Sequence, residues 1–212
     1  MEQTEQSKKW AADFGKDYTD RNPKNIDDMD KLYLGYFNTT RSALNKEFLD
    51  FLPRDISILE VGSNCGAQLS GLQKMGFTNL TGIEISRYAL EQAKKSTENI
   101  DFVKASALDI PFKDKSFDLV FTSGVLIHIH PNDLKKVINE IYRVSKKFIW
   151  CFEYFSENCI EIEYRGNKNL LWKNHFLNLF LKEHPNLRIL KEKKYKYLNS
   201  DNQDIAFLLE KI

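Results

Sequence analysis

No apolar run in this sequence approaches membrane-spanning length, and the first residues, Met1-Glu2-Gln3-Thr4-Glu5-Gln6, lack the apolar h-region of a secretory leader. A soluble, cytoplasmic protein is the expectation. Cysteine is scarce as well. Cys65, Cys151 and Cys159 are odd in number and lack metal-site spacing, which argues against a disulfide framework and for a reducing compartment. Charge of one sign is not in excess either. Lys and Arg number 31 against 30 Asp and Glu, so a net charge of +1 offers no global field to recruit nucleic acid or a membrane surface. The cluster Lys191-Glu192-Lys193-Lys194 then reads as a solvated strand edge. Internal repeats and low-complexity segments are absent. What remains, 212 residues with 42% hydrophobic content, suffices for one sizeable core, and the chain reads as a single domain.

What is present is an alternation of strand and helix patterns. Residues 1–25 are polar with aromatic punctuation at Trp10, Phe14 and Tyr18, which predicts a short helix and a loop ending at Asn22-Pro23. Apolar positions from Ile26 to Leu49 have mixed helical spacing and are closed by Pro53. Strands are predicted at residues 56–61, 79–85, 100–104, 117–122 and 147–152, the fourth fully apolar as a buried parallel strand should be. Helices are predicted at 67–75 and 87–96, from a cap at Asn132 or Asp133 to about Ser145, and near 173–182. Strands near 187–197 and 203–210 face each other across Asn199-Ser200-Asp201-Asn202. The predicted fold is α/β: a doubly wound, mostly parallel seven-stranded sheet with an antiparallel C-terminal hairpin strand at one edge.

The chemistry starts at Ile56-Ser57-Ile58-Leu59-Glu60-Val61-Gly62-Ser63-Asn64-Cys65-Gly66, a strand breaking into a turn before a helix. Gly62 and Gly66 let the backbone turn without strain and approach a ligand closely. Glu84 ends the next apolar run, where a carboxylate can accept from ribose hydroxyls, or else pair with the neighbouring Arg87 on the surface. The middle glycine of a dinucleotide fingerprint is missing. Asn64 stands there, tolerating positive φ while its side chain fills the space a pyrophosphate would use. Glu60 would repel phosphate and attract an ammonium group. A cofactor with adenine, ribose and a cationic amino-acid end fits better than NAD, and that describes S-adenosylmethionine. Cys65 reads as a small packing residue, because no His or Lys adjoins it to lower its pKa.

These motifs resemble those of the class I S-adenosylmethionine-dependent methyltransferases over roughly residues 55–155, which implies a Rossmann-like methyltransferase fold. The resemblance implies that Asp109, in Ser106-Ala107-Leu108-Asp109-Ile110-Pro111-Phe112, accepts from the adenine amine while Ala107 and Leu108 sandwich the ring; Asp109 could instead cap the turn before Pro111. It also places Ile85, Ser123 and Gly124 at the cofactor. Residues 1–25 would form a cofactor lid, with Trp10 and Tyr18 on the cofactor and Arg21 forking onto its carboxylate, unless they form a frayed terminal helix. Residues 26–52 would be a helical cap and 53–212 the core. Ser123 to Pro131 follows the fourth strand and faces the transferable methyl. His128 and His130 lie in it, i and i+2, without the further ligands of a zinc site, so no metal is expected. One of them, His128 in preference, is the candidate general base; each could equally be a structural imidazole.

The resemblance narrows further. The lid segment, Gly124 to Pro131, Glu153-Tyr154, Glu163-Tyr164-Arg165-Gly166 and the tail Asp201 to Lys211 look like the methylases associated with pseudaminic acid biosynthesis. That implies methylation of a sugar or nucleotide sugar of nonulosonic acid metabolism, with Glu153, Tyr154, Tyr164 and Arg165 walling the acceptor pocket. Methylation of another small metabolite, or a regulatory protein that binds the cofactor without turnover, stays open, as does the oligomeric state. Balanced charge and the lack of an N-P-P-Y-type tetrapeptide after the fourth strand disfavour a nucleic-acid or protein acceptor.

Overall fold

The computed structural model describes residues 4–212, so the first three positions of the expected lid lie outside it. Two compact units divide the chain, the first ending at Ser106 and the second running Ala107–Ile212. No helix among the described residues is long and apolar enough to cross a membrane.

In the first unit, four helices precede the first strand: α1 (Glu5–Ala11), α2 (Asp13–Arg21), α3 (Ile26–Phe37) and α4 (Arg41–Leu49). The side chains of Thr4, Asn25 and Thr40 cap α1, α3 and α4 by accepting from the N–H groups of Ser7, Asp28 and Ala43. Two helices therefore stand where a short helix and a loop are predicted. The joint between them needs Gly15, since a Cβ there would collide with the carbonyl oxygen of Trp10. Next come β1 (Ser57–Val61), α5 (Ala67–Lys74), β2 (Asn79–Glu84), α6 (Arg87–Ser96) and β3 (Asp101–Lys104). β2 pairs in parallel with both β1 and β3. Ile58, Leu59, Val61, Leu69, Leu72 and Phe77 are buried, as are Leu44, Phe48 and Leu49 of α4.

The second unit runs β4 (Phe117–Ser123), a single 3-10 turn (Leu126–His128), α7 (Pro131–Val144) and β5 (Ser145–Tyr154). The short strands β6 (Ile160–Glu161) and β7 (Trp172–Lys173) form a separate ribbon before α8 (Phe176–Glu183), β8 (Leu187–Lys196) and β9 (Gln203–Lys211). β4 and β5 are parallel, and β9 runs antiparallel to both β5 and β8. The strand order is β3-β2-β1 in the first unit and β4-β5-β9-β8 in the second.

The expected antiparallel terminal hairpin is present, its reversed strand β9 lying inside the edge strand β8. Other expectations are corrected. The fourth strand is not wholly apolar, because it includes Asp118, which pairs with Lys146 at 3.2 Å. The cap of α7 is neither Asn132 nor Asp133 but His130, whose Nδ1 accepts from the Asn132 N–H at 3.2 Å. The helix expected near 173–182 starts at Phe176, since Trp172 and Lys173 pair with Glu161 and Ile160 in the ribbon. Strands two residues long leave no periodicity to read.

Candidate active site

In the first unit the turn from β1 to α5 closes on the end of β2. The N–H groups of Gly62 and Ser63 both donate to the Ile83 carbonyl, at 2.8 and 3.0 Å. Gly62, Asn64 and Gly66 all adopt positive φ, at 75°, 46° and 77°. Gly66 has a second constraint: a Cβ there would meet the Phe102 ring at 2.7 Å. Gly82 on β2 is needed as well, because a Cβ on it would lie 2.6 Å from the Ser63 hydroxyl.

Glu84 sits half-buried at the tip of β2 and is already oriented. One carboxylate oxygen accepts from the Asn64 N–H at 3.0 Å and the other from the Ser86 N–H at 2.8 Å. Each oxygen retains a lone pair for a further donor. Burial raises its proton affinity, and the N–H groups of Ser86, Asn64 and Ile85 pull it back down. The surface-pair alternative falls away, since Arg87 pairs with Glu91 at 3.0 Å.

Glu60 is buried, and its Oε2 has no hydrogen-bond partner. Burial pushes its pKa well up; Arg41 opposes this and the Glu84 charge adds to it. Arg41, fully buried, is anchored by Asn45 at 2.9 Å and the Tyr33 hydroxyl at 3.0 Å. An orphaned acidic oxygen beside the glycine turn fits the ammonium group of S-adenosylmethionine, because a buried acceptor left unmade is costly.

The N-terminal helices are fastened to this turn. The buried Thr19 hydroxyl donates to Asn64 Oδ1 at 2.9 Å, Lys24 Nζ donates to the Thr19 carbonyl, and Cys65 Sγ lies 3.3 Å from the Pro23 carbonyl. The side chain of Asn64 is therefore held by α2. Tyr88 on α6 adds a second tie, donating to Asp20 at 2.6 Å. Trp10 packs edge-on against Phe14 and Tyr18 at 5.0 and 5.1 Å, and the Arg21 guanidinium lies 5.2 Å from the Tyr18 ring.

In the second unit, Ala107 and Leu108 form a tight turn and Asp109 is exposed beside them. β4 ends at Ser123, and Gly124 turns the chain at φ 66° with its N–H on the Phe152 carbonyl at 2.8 Å. The 3-10 turn then carries His128. Its Nδ1 donates to the Leu170 carbonyl at 2.7 Å, an assignment that leaves the lone pair on Nε2, and its ring lies 5.4 Å from Tyr164. His130 gives its Nδ1 to capping α7 and its ring to an edge contact with Trp172 at 5.3 Å.

Glu153, expected on a pocket wall, is instead fully enclosed. Its carboxylate accepts from the N–H groups of Val125 at 3.2 Å and Ile127 at 3.4 Å, so it braces the turn beneath His128. Burial raises its pKa to about 7, against the pull of Thr122 and the turn's N–H groups. Tyr154 keeps company with Tyr197, at 5.9 Å between rings, and with Lys173, whose Nζ is 4.3 Å from its ring. Arg165 is exposed at a hairpin tip with Gly166, the two at φ 52° and 71°. Among the described residues no group of three or more His, Cys, Asp and Glu could hold a metal ion.

Residues 59–148 match the model of a methyltransferase domain family. A Haemophilus influenzae protein of uncharacterised function is 32% identical over 99 residues, covering 44% of this chain and 39% of that protein. Cycloartenol-C-24-methyltransferase 1 of Oryza sativa is 30% identical over 118 residues, covering 53% of this chain and 33% of the rice protein. The chain thus matches well under half the length of these relatives. A solved Burkholderia thailandensis structure, 1,6-didemethyltoxoflavin-N1-methyltransferase with 1,6-didemethyltoxoflavin and S-adenosylhomocysteine bound, shares the fold at a TM-score of 0.65 and 15% identity, over 80% of this chain and 76% of that one.

Residues 59–148 therefore resemble a methyltransferase domain, and the chain shares its fold with a solved methyltransferase. Within that stretch, sequence motifs marked Glu60, Gly62, Asn64, Gly66 and Glu84, which the first unit brings together around one turn. They missed Thr19 and Lys24. Thr19 lies 45 residues from Asn64, and no local pattern announces such a contact. The bracing role of Glu153 was hidden in the same way.

Proposed function

We propose that the protein transfers a methyl group from S-adenosylmethionine to a small polar acceptor, a sugar or nucleotide-sugar intermediate of nonulosonic (pseudaminic) acid metabolism, in the cytoplasm. The unsatisfied Oε2 of Glu60 beside a positive-φ glycine turn carries the cofactor half of this reading. The acceptor half rests on the family resemblance of the lid, the His128 segment, the Tyr164-Arg165 hairpin and the tail.

When bound, the cofactor supplies a methyl group on a sulfonium, open to in-line displacement. Glu84 accepts from the ribose hydroxyls and Glu60 from the ammonium group. Asp109 accepts from the adenine amine, with Ile85, Ala107 and Leu108 as apolar walls, while Gly62, Gly66, Ser123 and Gly124 allow close backbone approach. Residues 1–25 act as the lid, with Trp10 and Tyr18 covering the cofactor and Arg21 meeting its carboxylate; residues 26–52 cap the core of 53–212. On the acceptor side, Nε2 of His128 takes the hydroxyl proton as attack proceeds, and His130 chiefly shapes the entry to α7. Tyr154 and Tyr164 wall the acceptor, and Arg165 suits a carboxylate or phosphate on it. Most of the rate comes from holding acceptor and methyl in line, with the base adding its share.

Incubation with methyl-labelled cofactor and an extract of nonulosonic-acid intermediates, followed by mass spectrometry, tests this reading. Label on a sugar or nucleotide sugar, lost in His128→Ala, is the expected result. Label only on other metabolites removes the sugar assignment, and full turnover in both His128→Ala and His130→Ala removes the general base.

A further inference from the structure

In the second unit the last turn of α7 reaches back to hold the loop that comes after Asp109. Arg143 Nε and Nη2 fork onto Glu140 Oε1 and Oε2 at 2.7 and 2.8 Å. The same guanidinium donates through Nη2 to the Ile110 carbonyl at 2.9 Å and through Nη1 to the Phe112 carbonyl at 2.7 Å. Asp114 takes a further bond at 3.0 Å. Glu140 Oε2 accepts from the Ile110 N–H at 2.7 Å. Both backbone groups of Ile110 are therefore gripped by one ion pair, and Ile110 itself is buried.

An arginine in a last helical turn commonly serves its own helix by bonding the terminal carbonyls and complementing the dipole. Here the side-chain targets include the carbonyls of Ile110 and Phe112, more than thirty residues upstream. A lone surface ion pair contributes little, whereas a fork committed to backbone groups fixes geometry. Arg143 and the Ile110 N–H hold the Glu140 carboxyl below its ordinary pKa, so the acceptor stays ionised at neutral pH.

We propose that Glu140 and Arg143 form a positioning device for adenine recognition, setting the backbone at Ile110 so that the adjacent Asp109 presents its carboxylate to the exocyclic amine. This rests on the reading of residues 107–109 as the adenine loop. Neither residue touches the cofactor; both act through the chain that carries Asp109.

The test compares S-adenosylhomocysteine with its inosine analogue, in which an oxo group replaces the 6-amine, by calorimetry. A hydrogen bond from the amine to a carboxylate corresponds to a preference for the adenine form of roughly tenfold to a hundredfold. In Arg143→Ala the preference should collapse towards unity, through weaker binding of the adenine form and little change for the inosine form. Arg143→Lys, a point charge without the fork, should do the same and serves if the alanine variant fails to fold. Asp109→Asn should abolish the preference, and adding Arg143→Ala to it should change nothing more. A folded Arg143 variant that keeps the wild-type preference, while Asp109→Asn loses it, overturns the positioning role alone. A wild-type protein that binds both ligands equally removes the adenine reading of the loop, and the proposal with it.

Discussion

Glu60, Glu84 and Glu153 each have their proton affinity raised by burial, but they differ in how far sequence could reveal them. Glu84 was legible because an acid at the tip of an apolar strand, eighteen residues past a glycine turn, has few other uses. Glu153 was legible only as a polar residue near the acceptor side. Its partners, Val125 and Ile127, lie 28 and 26 residues away, so its role as a brace exists only in the folded chain. Its pKa, raised to about 7 by burial, gives that role a pH signature. The folded state binds this proton more tightly than the unfolded state does. The resulting stability is complete below the ordinary carboxylate range and is lost as pH rises through about 7, at most about 3 kcal/mol for such a shift. The melting temperature of the cofactor-free protein should therefore fall between about pH 5 and pH 7 and level off above that. Glu153→Gln, fixed in the neutral form, should show a shallower fall, and parallel slopes for the two proteins would show that Glu153 does not titrate in this range.

At the scale of elements, the strands that build the glycine turn were read to within a residue or two, because buried parallel strands give continuous apolar runs between turn residues. The N-terminal helices were harder. Their buried positions, Gly15 and Thr19, form no apolar stripe, and their attachment runs through single polar contacts to Asn64 and Tyr88. His130 as the cap of α7 was equally hidden, since imidazole is not a usual capping group. The same contacts predict what the helices do. If they cover the cofactor, deletion of residues 1–22 should weaken S-adenosylhomocysteine binding by about tenfold or more while lowering the melting temperature only slightly, because few apolar residues there join a core. Arg21→Ala should weaken S-adenosylmethionine and S-adenosylhomocysteine alike, since both carry the carboxylate. Wild-type affinity in a stable deletion variant would make the helices an appendage rather than a lid.

For the whole molecule, the family match ends near the start of β5, and the ribbon, α8 and the terminal strands beyond it carry no motif that fixes an acceptor. The fold and the cofactor class were therefore legible, and the acceptor only through resemblance. All of it depends on the β1–α5 turn and β2 holding S-adenosylmethionine. Titration calorimetry of S-adenosylhomocysteine against wild type, Glu84→Ala and Glu84→Gln tests that dependence most directly. Saturable one-to-one binding by the wild type, weakened in folded Glu84→Ala by about 1.5–3 kcal/mol and less so in Glu84→Gln, is the expected result, the range for hydrogen bonds to a charged group. Unchanged affinity in a folded Glu84→Ala variant, or no binding by the wild type, would contradict it.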